Sequence, residues 1–147
     1  MIKQAMILAG GKGTRMLPLT KNLPKPMIEV AGKPFLEHLI LQLKSNGIEE
    51  VTILLGYMGD KVVEYFRDGS EWNLKIQYSI GKIDDRTGTR IRNAQKYIKD
   101  NFLLLYCDNY CPLDLKSLNS FFTGSTLSTS RPILLRTLII SDSVLLV

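Results

Sequence analysis

Leu8-Ala9-Gly10-Gly11-Lys12-Gly13-Thr14-Arg15-Met16, continued by Pro24-Lys25-Pro26, is the stretch from which the fold can be read. The apolar run from Ala5 to Ala9 in front of it predicts a central parallel strand, buried on both faces. Glycines directly after such a strand let backbone N–H groups approach an anion, and successive N–H groups in a tight turn form an anion-binding nest. Lys12, Arg15 and Lys25 add formal positive charge around that nest. The chemistry implied is the binding of a polyphosphate.

Working outward, the glycine- and proline-rich residues up to Lys33 predict a long ordered loop, held by Pro18, Pro24 and Pro26. Pro34 opens a helix with Phe35, Leu36, Leu39, Ile40 and Leu43 on one face and Gly47 as its C-terminal cap. Val51–Leu55 predicts a second strand ended by Gly56. A short helix follows with Val62, Val63 and Phe66 inward, and Asp68-Gly69 turns the chain. The alternation in Leu74–Tyr78 predicts a third strand near a sheet edge. A polar loop from Gly81 to Gly88 leads to a third helix with Ile91, Ala94 and Ile98 on one face. Phe102–Tyr106 is the fourth strand, with Asp108 just past its end.

Strand and helix alternating in this way predict an α/β fold: a mostly parallel, Rossmann-like sheet with helices on both faces. Ligands of such sheets bind beyond the carboxyl ends of the strands. Each unusual polar or glycine segment follows a strand, so the pattern implies one cleft on one edge. From Thr123 the character changes: Thr123 to Ser130 is nearly all Ser, Thr and Gly, and Pro132 to Val147 is leucine-rich without clear period. Residues 1–122 therefore form the predicted α/β part that carries the phosphate loop, and 123–147 a tail without an assigned role.

Bulk properties narrow the function. A chain of 147 residues with 45% hydrophobic and 22% charged residues fits a single soluble domain. The formal charge of +5 comes without aromatic–basic interleaving or a recognition-helix pattern, so it points to anionic small molecules and away from nucleic acid. Cys107 and Cys111, four apart with His38 far off in sequence, make a poor zinc signature and read as reduced thiols of a cytoplasmic protein. The start of the chain carries no signal-peptide pattern, and no apolar run reaches membrane-spanning length, which implies no membrane partner.

Two phosphate motifs are excluded by spacing. Gly10-Gly11-Lys12-Gly13-Thr14 lacks the Walker A pattern, and Met16 stands where a dinucleotide fingerprint needs its third glycine. The loop through Thr20 instead resembles the signature of the sugar-1-phosphate nucleotidyltransferases. The likeness continues through Leu23-Pro24-Lys25-Pro26-Met27, Gly32-Lys33-Pro34, Gly69-Ser70-Glu71-Trp72 and Leu105-Tyr106-Cys107-Asp108-Asn109. Pro24-Lys25-Pro26 and Gly32-Lys33-Pro34 favour the sugar branch over molybdenum-cofactor or isoprenoid-type relatives that share the glycine loop.

The resemblance implies a nucleotide-diphospho-sugar transferase domain, incomplete in this chain. It implies a reaction in which a sugar 1-phosphate attacks the α-phosphorus of a nucleoside triphosphate, giving a nucleotide sugar and pyrophosphate. It also implies roles. Leu8, Ala9, Gly10 and Gly11 would hold the nucleotide, and Gly13 and Thr14 would wrap the triphosphate. Arg15 would grip the leaving pyrophosphate by bidentate hydrogen bonding. Lys25 would bridge the reacting phosphates, and Asp108 would hold Mg²⁺. Gly88 and Thr89 match the start of the base-reading segment, whereas Arg90 and Arg92 replace the small residues common there. Lys12 can face solvent, and His38, Trp72 and Tyr78 read as structural.

Family enzymes continue well past this length, and their second metal-binding Asp has no counterpart here; Asp142 is not a substitute. Truncation or a frame shift near Phe122 would explain the tail. Two readings stand: a nucleotidyltransferase with impaired activity, or a non-catalytic nucleotide-binding module that needs a partner or a missing C-terminal half. The nucleobase, the sugar and the oligomeric state are left open.

Overall fold

A computed structural model of the chain describes residues 2–99, 101–117 and 120, together with the backbone of two short strands, 138–141 and 144–146. The serine- and threonine-rich stretch 123–130 and Asp142 lie outside the described residues.

The sheet forms around β1 (Gln4–Ala9). β1 pairs in parallel with β4 (Glu50–Leu55) on one side and β6 (Phe102–Tyr106) on the other, with Ala5 opposite both Val51 and Leu103. β5 (Lys75–Ile80) pairs in parallel with β4. Beyond β6 the order continues β8 (Val144–Leu146) and then β7 (Leu138–Ser141), both pairings antiparallel. The mostly parallel sheet is as expected, and β5 ends one edge of it. The backbone pairing of β8 with β6 was not legible in the sequence.

Side chains alternate across this sheet, so two cores form. Ala5, Ile7, Ala9, Val51, Ile53, Leu55, Leu103 and Leu105 face the side covered by α1 (Phe35–Ser45) and α2 (Gly59–Phe66). Met6, Leu8, Leu54, Phe102 and Leu104 face Ala94, Ile91 and Ile98, at and beyond the end of α3 (Thr87–Asn93). On α1, Leu36, Leu39, Ile40 and Leu43 are fully buried. Each such side chain contributes roughly 1.5–3 kcal/mol relative to exposure, which outweighs any weak helix propensity around them. The helix ends as predicted at Gly47, which has φ +84°. The Gly47 N–H donates to Lys44 O at 3.0 Å and the Ile48 N–H to Leu43 O at 3.1 Å, the paired bonds of a Schellman cap.

The long loop has more local structure than expected. It contains short 3-10 turns at Thr14–Met16 and Lys25–Met27. It then closes a two-residue ladder between β2 (Glu29–Val30) and β3 (Lys33–Pro34). The third helix begins at Thr87, one residue before the end of the predicted loop, and gives way to a 3-10 turn at Gln95–Tyr97.

The topology fixes the place of the site. From β1 the chain steps through α1 to β4 and through α2 to β5, always outward. It then returns by α3 to the other side of β1 as β6. The reversal between β1 and β6 is a topological switch point, the place where open α/β sheets bind ligands. Gly10 follows β1 and Asp108 follows β6, so the two segments flank that point.

Candidate functional site

At the switch point lies a cleft of about 500 Å³, lined by Leu8, Gly10, Gly11, Gly13, Thr14, Arg15, Lys25 and Asp108, with Asp85 and Arg90 on the opposite wall. These are most of the residues singled out in the sequence. Ala9 is not among them, since its side chain is buried in the core facing α1. Gly88 and Thr89 stand exposed in the first turn of α3, and the cleft is lined there by Thr87 and Arg90.

The loop is shaped by Gly13, which adopts φ +63°. A Cβ there would meet Thr20 Cγ2 at 3.0 Å and Lys25 Cβ at 3.1 Å, so glycine is required by both conformation and space. Thr20, itself buried, donates its hydroxyl to Gly13 O at 3.0 Å, and the Met16 N–H donates to the same carbonyl at 2.9 Å. By contrast, the N–H groups of Gly11 through Arg15 donate to no backbone acceptor among the described residues. A turn whose backbone donors are not taken by the chain's own backbone is what an anion-binding nest requires.

Lys25 is aimed into the cleft by its neighbours. Pro24, Pro26 and Met27 are buried, and the Met27 N–H closes the turn on Pro24 O at 2.8 Å. The Lys25 ammonium meets Asp108 Oδ2 at 2.8 Å, with side-chain exposures of 31% and 42%. Both groups thus remain open to solvent and to a ligand. Arg15 is exposed on the same wall, and Lys12 faces out toward Asp84 at 4.0 Å. Cys107, beside Asp108, is buried; burial pushes its thiol up to about 12, with the Asp108 charge adding to that and Lys25 opposing it. Both cysteines are free thiols.

Among the described residues no group of three or more His, Cys, Asp or Glu is placed to hold a metal ion. Asp108 suits a cation that brings most of its ligands from phosphate and water. Mg²⁺ is commonly bound in that way, by one or two carboxylates plus substrate oxygens.

Trp72, Tyr78 and His38 each contact other parts of the chain. Trp72 stacks at 5.0 Å on Phe66, and the Tyr78 hydroxyl donates to Arg67 O at 2.6 Å. His38 is half-buried with Nε2 2.8 Å from Val30 O. Arg90, which stands where small residues are common, also belongs to the cleft wall. It is 7% exposed and inserts its guanidinium between the ends of three strands.

Residues 4–128 match the family model described as nucleotidyl transferase. The chain belongs to the nucleotidyl transferase family. It is 40% identical over 115 residues to a D-glycero-alpha-D-manno-heptose 1-phosphate guanylyltransferase of Campylobacter jejuni, covering 78% of this chain and 52% of that protein. It is 37% identical over 140 residues to a probable glucose-1-phosphate cytidylyltransferase of Bacillus subtilis, covering 80% of this chain and 55% of the relative. Among solved structures it resembles HddC from Yersinia pseudotuberculosis complexed with GMP-PN, with TM-score 0.71, 33% identity and coverage of 86% and 55%. This nucleotidyl transferase chain therefore spans about half the length of these relatives, and 24% of the bifunctional GlmU proteins of Methanococcus maripaludis to which it is also similar. Among the described residues no helix is long and apolar enough to cross a membrane.

Proposed function

We propose that the cleft binds a nucleoside triphosphate and transfers its nucleoside monophosphate to a sugar 1-phosphate. The observation that carries this reading is the convergence of the glycine loop, Arg15, Lys25 and Asp108 on one cleft at the switch point.

Each group has a role that suits its place. The backbone of Leu8 to Gly11 holds the nucleotide, and the free N–H groups from Gly11 to Arg15 embrace the triphosphate. Gly88 and Thr89, exposed in the first turn of α3 beside the cleft-lining Thr87 and Arg90, are the candidates for meeting the base. A phosphate oxygen of the sugar 1-phosphate forms a bond to the α-phosphorus, and the bond from that phosphorus to the α–β bridging oxygen breaks. Arg15 takes charge from the departing pyrophosphate, and Lys25 neutralises the α-phosphoryl oxygens where negative charge builds. Asp108 would hold Mg²⁺ together with phosphate oxygens, adding Lewis-acid charge neutralisation. The setting is a soluble, cytoplasmic enzyme of nucleotide-sugar synthesis.

A second reading rests on one observation: the chain spans about half of its curated relatives. In that reading the nucleotide binds, and turnover needs a further segment or a partner chain. Mg²⁺-dependent pyrophosphate release, measured for the full chain over a panel of nucleoside triphosphates and sugar 1-phosphates, separates the two. Release with one pair supports the enzyme. Saturable nucleotide binding without release supports the binding module.

A further inference from the structure

Three strands of the sheet are followed directly by a glycine: β1 by Gly10, β4 by Gly56 and β5 by Gly81. All three glycines face the same guanidinium. A Cβ on Gly10 would lie 2.3 Å from Arg90 Cζ, one on Gly56 would lie 2.7 Å from Nη1, and one on Gly81 3.4 Å from Nη1. The side chain occupies space that any larger residue at Gly10 or Gly56 would fill.

The guanidinium uses this position to tie three segments together. Nη1 donates to Leu55 O at 2.7 Å, at the end of β4. Nη2 is shared among Lys82 O at 2.8 Å, Ile83 O at 3.0 Å and Gly10 O at 3.4 Å. Nε donates to Asp85 O at 3.1 Å. Every acceptor is a main-chain carbonyl. A buried charge normally demands a carboxylate partner. Here the dipoles of five carbonyls take that place, in the wall of the cleft.

Resting on the nucleotide-site reading, we infer that Arg90 is a positioning residue of that site. It fixes the carbonyl of Gly10, and so the entry into the glycine loop, against the end of β4 and the loop 82–85. The cleft wall is thereby preformed. The backbone alone ties these segments with few bonds, Tyr57 N–H to Gly10 O at 3.3 Å and Gly81 N–H to Leu55 O at 3.0 Å. Lysine cannot replace arginine, because an ammonium on a flexible stem lacks the planar fork that reaches three segments at once.

Two measurements on the full chain test this, with Arg90→Lys, Arg90→Met and Gly10→Ala. The last keeps the arginine and displaces its guanidinium. Amide hydrogen exchange at Tyr57, Gly81 and Asp85 should speed up about tenfold or more in each folded variant, while β1–β4 ladder amides stay within about twofold. Should Arg90→Met fail to fold, the other two variants decide. Uniform acceleration throughout the sheet, or none at the three amides, would overturn the inference. Calorimetric titration with Mg²⁺ and a nucleoside triphosphate should show about tenfold weaker Kd for Arg90→Lys at unchanged stoichiometry. A fall in stoichiometry with Kd unchanged would mean that Arg90 serves folding alone, and overturns it too. If the wild-type chain binds no nucleotide, the nucleotide-site reading fails, and exchange still decides whether Arg90 holds the wall.

Discussion

Lys25 and Asp108, 83 positions apart in the chain, meet across the cleft at 2.8 Å. One was read as a phosphate ligand and the other as a metal ligand. Their contact means that each charge is held by the other, at a place reached by solvent, and both can exchange partners when a metal-bound triphosphate enters. An exposed ion pair of this kind contributes only ~0–1 kcal/mol to stability. Lys25→Ala and Asp108→Asn should therefore shift the thermal midpoint by no more than a few degrees. Both should weaken Mg²⁺-dependent nucleotide binding by about tenfold or more, the loss expected for a charge-assisted contact. Calorimetric titration and thermal unfolding on the same samples check the split. Loss of stability without loss of binding would assign the pair a structural role.

Arg15 stands exposed at the start of the loop's 3-10 turn, with its charge unspent on any ion pair among the described residues. Arg15→Ala should reduce affinity for a triphosphate by about 10- to 100-fold, from the roughly 1.5–3 kcal/mol of a hydrogen bond to a charged group. Affinity for the matching monophosphate should change little. Equal losses for both nucleotides, in parallel titrations, would place Arg15 away from the pyrophosphate end.

How much of this was readable beforehand follows from the residues. β1, β4 and β6 are mostly apolar runs with a glycine or Asp108 shortly after their ends, and α1 has a buried stripe of Leu36, Leu39, Ile40 and Leu43. Such elements declare themselves. The β2–β3 ladder is two residues long on each side, too short for any period. Arg90 could not be read because arginine is almost never buried without a carboxylate, and two of the three segments around it, at Gly10 and Leu55, are distant in the chain. The one available trace was the glycine directly after each of three strands. Gly88 and Thr89 were set in the motif's order, yet the early start of α3 put them on the outside of its first turn. The pairing of β8 with β6 leaves no trace in a leucine-rich tail without period.

The carboxylate of Glu37 supplies a pH test. It is 6% exposed; burial alone would raise it, but hydrogen bonds from Lys33, Tyr65 and Trp72 and the Lys33 charge hold it below the ordinary 4.5. Its partner Tyr65, whose hydroxyl donates to Glu37 Oε2 at 2.7 Å, is pushed up to about 12 by that bond, by burial and by the carboxylate's charge. For the depressed Glu37, stabilisation is present above the ordinary value and is lost as pH falls below it. For the raised Tyr65, stabilisation is complete below pH 10 and is lost as pH rises toward about 12. Chemical denaturation from pH 9 to 12 should thus show falling stability in the wild type. Tyr65→Phe should be less stable at neutral pH by about 1 kcal/mol and show a flatter alkaline limb. An identical limb in both would remove the pair from the explanation.

The two thiols should differ sharply. Cys107 is 8% exposed with its thiol pushed up to about 12, whereas Cys111 is only half-buried at the chain surface. Since the thiolate is the reactive form, titration with a coloured disulfide reagent at pH 8 should give one fast thiol per native chain and a second only on unfolding. Fast reaction of Cys107, located by Cys111→Ser, would mean that the β6 end opens readily.

The most direct measurement is a calorimetric titration of the full chain with each nucleoside triphosphate, in Mg²⁺ and in a chelator. The geometry of the cleft predicts one saturable site per chain for at least one nucleotide, tighter with Mg²⁺, and weakened by Arg15→Ala and Asp108→Asn. Saturable binding that ignores both substitutions, or no binding to any nucleotide, would contradict the assignment of the cleft.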